Sequence, residues 1–285
     1  IFIAGSFIFY INNQSKAKEI EIEKSSEIIF DTSPIKLYIE NCIKTVGKEA
    51  LIYVGRQGGY YELKKPYLND ENFKLPYYVV ENLDFSPSLN VVENEISRYI
   101  ENNLPLCINN FEEFKEHGFD ITQNEAKFET RIEQNSVSFN VNLPITIKKD
   151  NRIQKIEKFS SYIPNFHLKS INDVNKIIIS QQIQNPNSVC LSCLYELAEE
   201  NNLYIDLIKY STNSLIFDIR DYNITEDNII KSPYNFTFAV KLLDISCDNF
   251  IRTDDIFFIQ RCVEELIKNS TKEIQIEDIP DFQIS

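Results

Sequence analysis

Two hydrophobic periods succeed one another along this chain, and that switch limits its fold more than any other feature. Ile35, Ile39, Cys42, Ile43, Val46, Ala50 and Val54 fall on one stripe at helical spacing. Ser33 at the N-cap and Pro34 at the first helical position open that helix, and Gly58-Gly59 stops it. A second amphipathic helix follows Ser86-Pro87, carries Leu89, Val92, Ile96, Tyr99 and Ile100 on one face, and ends near Leu104-Pro105. From residue 126 the period drops to two. Residues 126–133, 136–142 and 145–149 alternate apolar and polar side chains, and 153–163 reads as a fourth strand. Asn135-Ser136 and Asp150-Asn151 mark turns. Ser170 with Asp173 resembles a capping box for a helix through Ile171, Val174 and Ile178, and a short helix runs from Val189 to Asn201-Asn202. Residues 203–210 and 215–220 form a hairpin, 234–243 a further strand, and Thr253 or Asp254 caps a last helix through Ile256, Ile259, Cys262, Val263 and Leu266. That order predicts an α+β fold, with amphipathic helices packed on a mainly antiparallel sheet.

The chain begins IFIAGSFIFYI, apolar and uncharged, until Asn12-Asn13-Gln14. Eleven helical residues reach about 16 Å, half of a hydrocarbon core roughly 30 Å thick. The run therefore reads as the second half of a longer anchoring helix; a buried core segment and a cleaved secretory signal are the alternatives. Residues 14–27 are polar, charged and free of Gly and Pro, which suits a stalk leaving a membrane. The expected organisation is an anchor and stalk over 1–30, a helical subdomain over 31–125 and an α+β subdomain over 126–285.

Forty-three acids against 29 bases give a net charge of −14. A phosphate backbone is gripped by clustered Lys and Arg, so nucleic acid is not an expected partner. Six cysteines fit three disulfides in an oxidising compartment. Two antiparallel amphipathic helices would bring Cys42 to Cys107. Cys190 and Cys193 are spaced to bridge within a helix start, and Cys247 and Cys262 pair by exclusion. Four N-x-[ST] sequons, at Asn13, Asn223, Asn235 and Asn269, are candidate glycosylation sites on an exported chain.

Chemistry is sparse. Cys190-Leu191-Ser192-Cys193 allows a thiol–disulfide oxidoreductase, since a helix start lowers a thiol pKa, but no strand leads tightly into it. His117 and His167 show no metal-ligand spacing. Acid pairs such as Glu112-Glu113 are ordinary on an acidic surface. No catalytic residue, metal or cofactor is expected. The tyrosines between the first two helices, Tyr60, Tyr61, Tyr77 and Tyr78, are the candidate binding face.

The apolar start, the polar stalk, Pro34-Ile35, Tyr38-Ile39-Glu40-Asn41-Cys42-Ile43, Gln57-Gly58-Gly59-Tyr60-Tyr61, Tyr77-Tyr78, residues 102–107 (NNLPLC) and Cys190 to Ala198 together resemble a family of single-anchored archaeal surface proteins. The likeness covers about residues 1–240. It implies a membrane-anchored ectodomain at the cell surface, with a hydrophobic start similar to pilin-type signals; the family carries no assigned activity. The resulting expectation is a non-enzymatic surface protein that self-assembles or joins other surface proteins as a subunit of a filament, coat or adhesive assembly. The alternatives are an anchored ligand- or glycan-binding sensor module and an envelope thiol oxidoreductase.

Overall fold

A computed structural model describes residues 30–186, 188–211, 213–222 and 233–242. Residues 1–29 of the anchor and stalk expected over 1–30, the helix expected after Thr253, Cys247, Cys262, Asn13, Asn223 and Asn269 lie outside the described residues. Among the described residues no helix is long and apolar enough to cross a membrane.

The fold is α+β, with one long helix laid across two sheets. Helix α1 (Ser33–Arg56) buries the expected stripe from Ile35 to Val54. Its N-cap is Thr32, one residue earlier than expected, and the Ser33 N–H donates to Asp31 Oδ1 at 2.9 Å. Strands β1 (Tyr67–Asn69), β2 (Lys74–Val80) and β3 (Leu83–Asp84) lead to α2 (Leu89–Ile108), and the short α3 (Glu112–Glu116) follows. Strands β4 (Phe119–Gln123), β5 (Lys127–Ile132), β6 (Ser136–Lys149) and β7 (Arg152–Pro164) come next. Then come α4 (Leu168–Gln184), α5 (Leu191–Glu200), β8 (Tyr204–Ser211), β9 (Ser214–Asp221) and β10 (Tyr234–Lys241).

The first sheet has the order β1-β2-β10-β9-β8, with β3 also on β2. It is mixed, because β2 runs parallel to β10 with Tyr77 opposite Ala239. The second sheet is antiparallel and built around β6: β7 pairs along one edge, while β5 and β4 lie end to end along the other. A helix methyl would keep α1 off both sheets, and glycine solves this twice. A Cβ at Gly47 would overlap the Phe139 ring of β6, and one at Gly55 would overlap the Tyr234 hydroxyl and lie 2.7 Å from the Asn235 carbonyl of β10.

Four expectations are corrected. Residues 136–142 and 145–149 are not separate strands but the single strand β6, since Val137, Phe139, Val141, Leu143, Ile145 and Ile147 are all buried in one unbroken alternation. Pro144 shifts the register locally instead of turning the chain. The second helix passes Pro105 and ends at Ile108, because Leu104 and Ile108 are buried and the Tyr38 hydroxyl donates to the Cys107 and Ile108 carbonyls at 3.0 and 3.2 Å. Helix α4 starts at Leu168 behind His167, so Ser170 is not its cap: burial of Leu168 pulls the start back. Residues 31–125 are not helical throughout, since they supply β1 to β4. One apolar cluster runs from Ile35 through Phe139 to Phe238, across the expected 125/126 boundary.

Candidate groove between helices α1 and α2 and the β1–β2 hairpin

The end of α1 sets the site. Gly58 and Gly59 take positive φ values of 55° and 84°. The Gly59 N–H closes the last turn on the Val54 carbonyl at 2.8 Å. A side chain at Gly58 would meet Pro76 at 2.7 Å and the Thr237 carbonyl at 2.8 Å, so glycine lets the chain pass close over β2 and β10. The Tyr78 hydroxyl fixes this crossing by donating to the Gly58 carbonyl at 2.8 Å, while its ring stacks on Phe238 with centroids 4.2 Å apart.

The chain after the glycines is held by a buried carboxylate. Glu95 of α2 accepts from the Tyr61 N–H at 2.9 Å, the Glu62 N–H at 3.2 Å and Arg98 at 2.9 Å. Arg98 also donates to Glu62 at 2.7 Å. This clamp sets Tyr61 in a triad with Tyr53 of α1 and Tyr99 of α2, whose ring centroids lie 5.2–5.7 Å apart. Burial, and then the carboxylate of Glu49, raise the Tyr99 pKa above its ordinary value, so the phenol is neutral.

Beside the triad lies an open groove of about 660 Å³, with Tyr53, Tyr99, Phe73 and Leu75 among its apolar lining. Tyr53 is 42% exposed and Phe73 38% exposed. Arg56, Lys74 and Glu49 also line it. Among the described residues, no cluster of three or more His, Cys, Asp or Glu is arranged to hold a metal ion.

No family model, curated protein or solved structure matches the chain.

The four tyrosines expected to form one face are dispersed. Tyr78 is 1% exposed and has no surface to offer, which corrects its place in a binding face. Tyr77 points to the other side of β2, with its hydroxyl 3.0 Å from Ser214 Oγ. Tyr60 is half-buried and donates to the Phe85 carbonyl at 3.4 Å. Tyr61 supports the groove through Tyr53 and Tyr99. The Cys42 and Cys107 sulfurs lie at bonding distance, with Cα atoms 5.7 Å apart, and staple α1 to α2. The Cys190 and Cys193 sulfurs are likewise joined at the start of α5, where Cys190 is the N-cap. Asn235 sits on β10, and its amide donates to Asp218 at 3.3 Å; Thr237 of the same sequon donates to Asp218 at 3.0 Å.

Sequence reasoning missed Tyr53, Arg56 and Glu95. A signal existed for Glu95: it interrupts the apolar face of α2 between Val92 and Tyr99. It also missed the pairing of His167 Nδ1 with the buried carboxylate of Asp221 at 2.8 Å, which ties the start of α4 to the end of β9.

Proposed function

We propose that the chain is a non-enzymatic cell-surface module, held to the membrane by its apolar N-terminal segment, that binds a ligand or glycan in the groove between α1, α2 and the β1–β2 hairpin. The observation that carries this reading is the aromatic wall of exposed Tyr53 and Phe73 and half-buried Tyr99 around an open groove of about 660 Å³. The two cysteine pairs support export, because disulfides persist in oxidising compartments and are rare in the cytosol. The resemblance to single-anchored archaeal surface proteins points the same way. Replacing Tyr53 and Tyr99 with Ser and measuring binding to isolated cell envelopes tests the reading. Loss of binding in a folded protein supports it, and unchanged binding removes the groove as the contact site.

A second reading, a subunit of a filament, coat or adhesive assembly, is favoured by β8. This strand ends the first sheet and exposes Tyr204, Ile208 and Tyr210. Imaging of envelope fractions and concentrated protein tests it: a monodisperse monomer with no lattice or filament counts against assembly.

A further inference from the structure

We propose that the groove takes a pyranose ring carrying a carboxylate, a uronic-acid unit of an acidic glycan, with Arg56 as the anion contact. This rests on the binding-module reading above and adds the charge and shape of the ligand.

Three observations converge. The first is a local reversal of charge. The chain carries 43 acids against 29 bases, yet the groove sets Arg56 and Lys74 against the single acid Glu49. The second is that Arg56 is unspent among the described residues. Among the described residues, Arg98, Arg131, Arg152 and Arg220 each pair with a carboxylate, whereas Arg56 makes no ion pair or hydrogen bond. Among the described arginines of this acidic chain, a guanidinium without a carboxylate is the exception. Its planar fork of donors matches a carboxylate with two parallel bonds. The third is the aromatic lining. Tyr53 and Phe73 present exposed ring surface, and the C–H face of a pyranose packs against such a surface.

The arrangement also sets an orientation. Glu49 and Arg56 stand two turns apart on α1, both at the groove. Glu49 accepts from sugar hydroxyls and repels a second anion, while Arg56 holds the carboxylate. Lys74 enters from β2 with its ammonium 5.7 Å from the Tyr67 ring, and adds positive potential at the rim. A neutral sugar would fill the apolar lining and leave Arg56 unused.

The test is calorimetric titration of the full chain with tetragalacturonic acid and with its fully methyl-esterified form. The expected result is saturable binding of the acid, weakened about tenfold or more by esterification, by Arg56→Met and by raised salt. Arg56 is exposed, so Arg56→Met keeps the fold, which circular dichroism checks. Equal binding of acid and ester, or an unaffected Arg56→Met, overturns the assignment of an anionic ligand. Loss of that shared binding in Tyr99→Ala would then preserve the groove itself. Absence of saturable binding of either probe to the folded protein overturns the proposal.

Discussion

Replacing Glu95 with alanine removes one carboxylate and orphans three donors, so its cost can be worked out from the geometry. The Tyr61 and Glu62 N–H groups lose their acceptor in a partly buried setting. An unsatisfied donor there costs about 1–3 kcal/mol. Arg98 loses its inner partner but keeps Glu62 and contact with water, so it adds little. The sum is about 3 kcal/mol of destabilisation, which for a domain of this size lowers Tm by about 6–12 °C. Glu62→Ala is the control. Its side chain is 66% exposed, it removes only the outer arm of the clamp, and it costs less than about 1 kcal/mol. Urea unfolding followed by circular dichroism measures both, with comparable slopes required for the comparison. A cost below about 1 kcal/mol for Glu95→Ala, or an equal cost for Glu62→Ala, refutes the role of Glu95 as the buried clamp.

Three further outcomes follow from the same structure. Removing the Cys42–Cys107 link by a double Ser substitution frees a loop of sequence separation 65 and lowers stability by about 4 kcal/mol, against about 2 kcal/mol for the short Cys190–Cys193 ring; denaturant midpoints of the two double variants give the order directly. Gly55→Ala presses a methyl into the Tyr234 hydroxyl and the Asn235 carbonyl and costs about 1–3 kcal/mol, whereas Gly118→Ala, with no atom within 4 Å, meets no such overlap and is limited by its positive φ of 79°. Burial holds the phenols of Tyr78 and Tyr234 well above the ordinary value of 10.0, so the folded state retains protons that the unfolded chain releases; stability is full below about pH 10 and falls above it, and absorbance titration should show these two rings ionising only as the protein unfolds.

The parts of the fold that are legible in the sequence are those written in a local period. The α1 stripe and the alternation of β6 to β7 depend on neighbours two to four residues away, so the chain carries them openly. Even the error at Leu143-Pro144 was local: the buried parity runs through Pro144 without a change of phase, and parity is the stronger signal. The parallel pairing of β2 with β10 is different. It joins residues 74–80 to 234–241, and no local pattern announces a partner at that distance. The groove shares this property. Tyr53 and Arg56 come from α1, Tyr99 from α2 and Phe73 and Lys74 from the β1–β2 hairpin, so each looks like an ordinary surface residue until the sheet brings the segments together. The tyrosine-rich stretch lies next to the groove, but its rings pack beneath the groove or behind the sheet and do not line it.

The claim that this scaffold works outside the cytosol is tested most directly by a non-reducing peptide map of the protein isolated from the cells that make it, with thiols blocked at lysis. The expected result is two cross-linked peptide pairs, Cys42 with Cys107 and Cys190 with Cys193, and no alkylated thiol at those four positions. Alkylation at all four would contradict it, and would remove the cell-surface reading together with the ligand assigned to the groove.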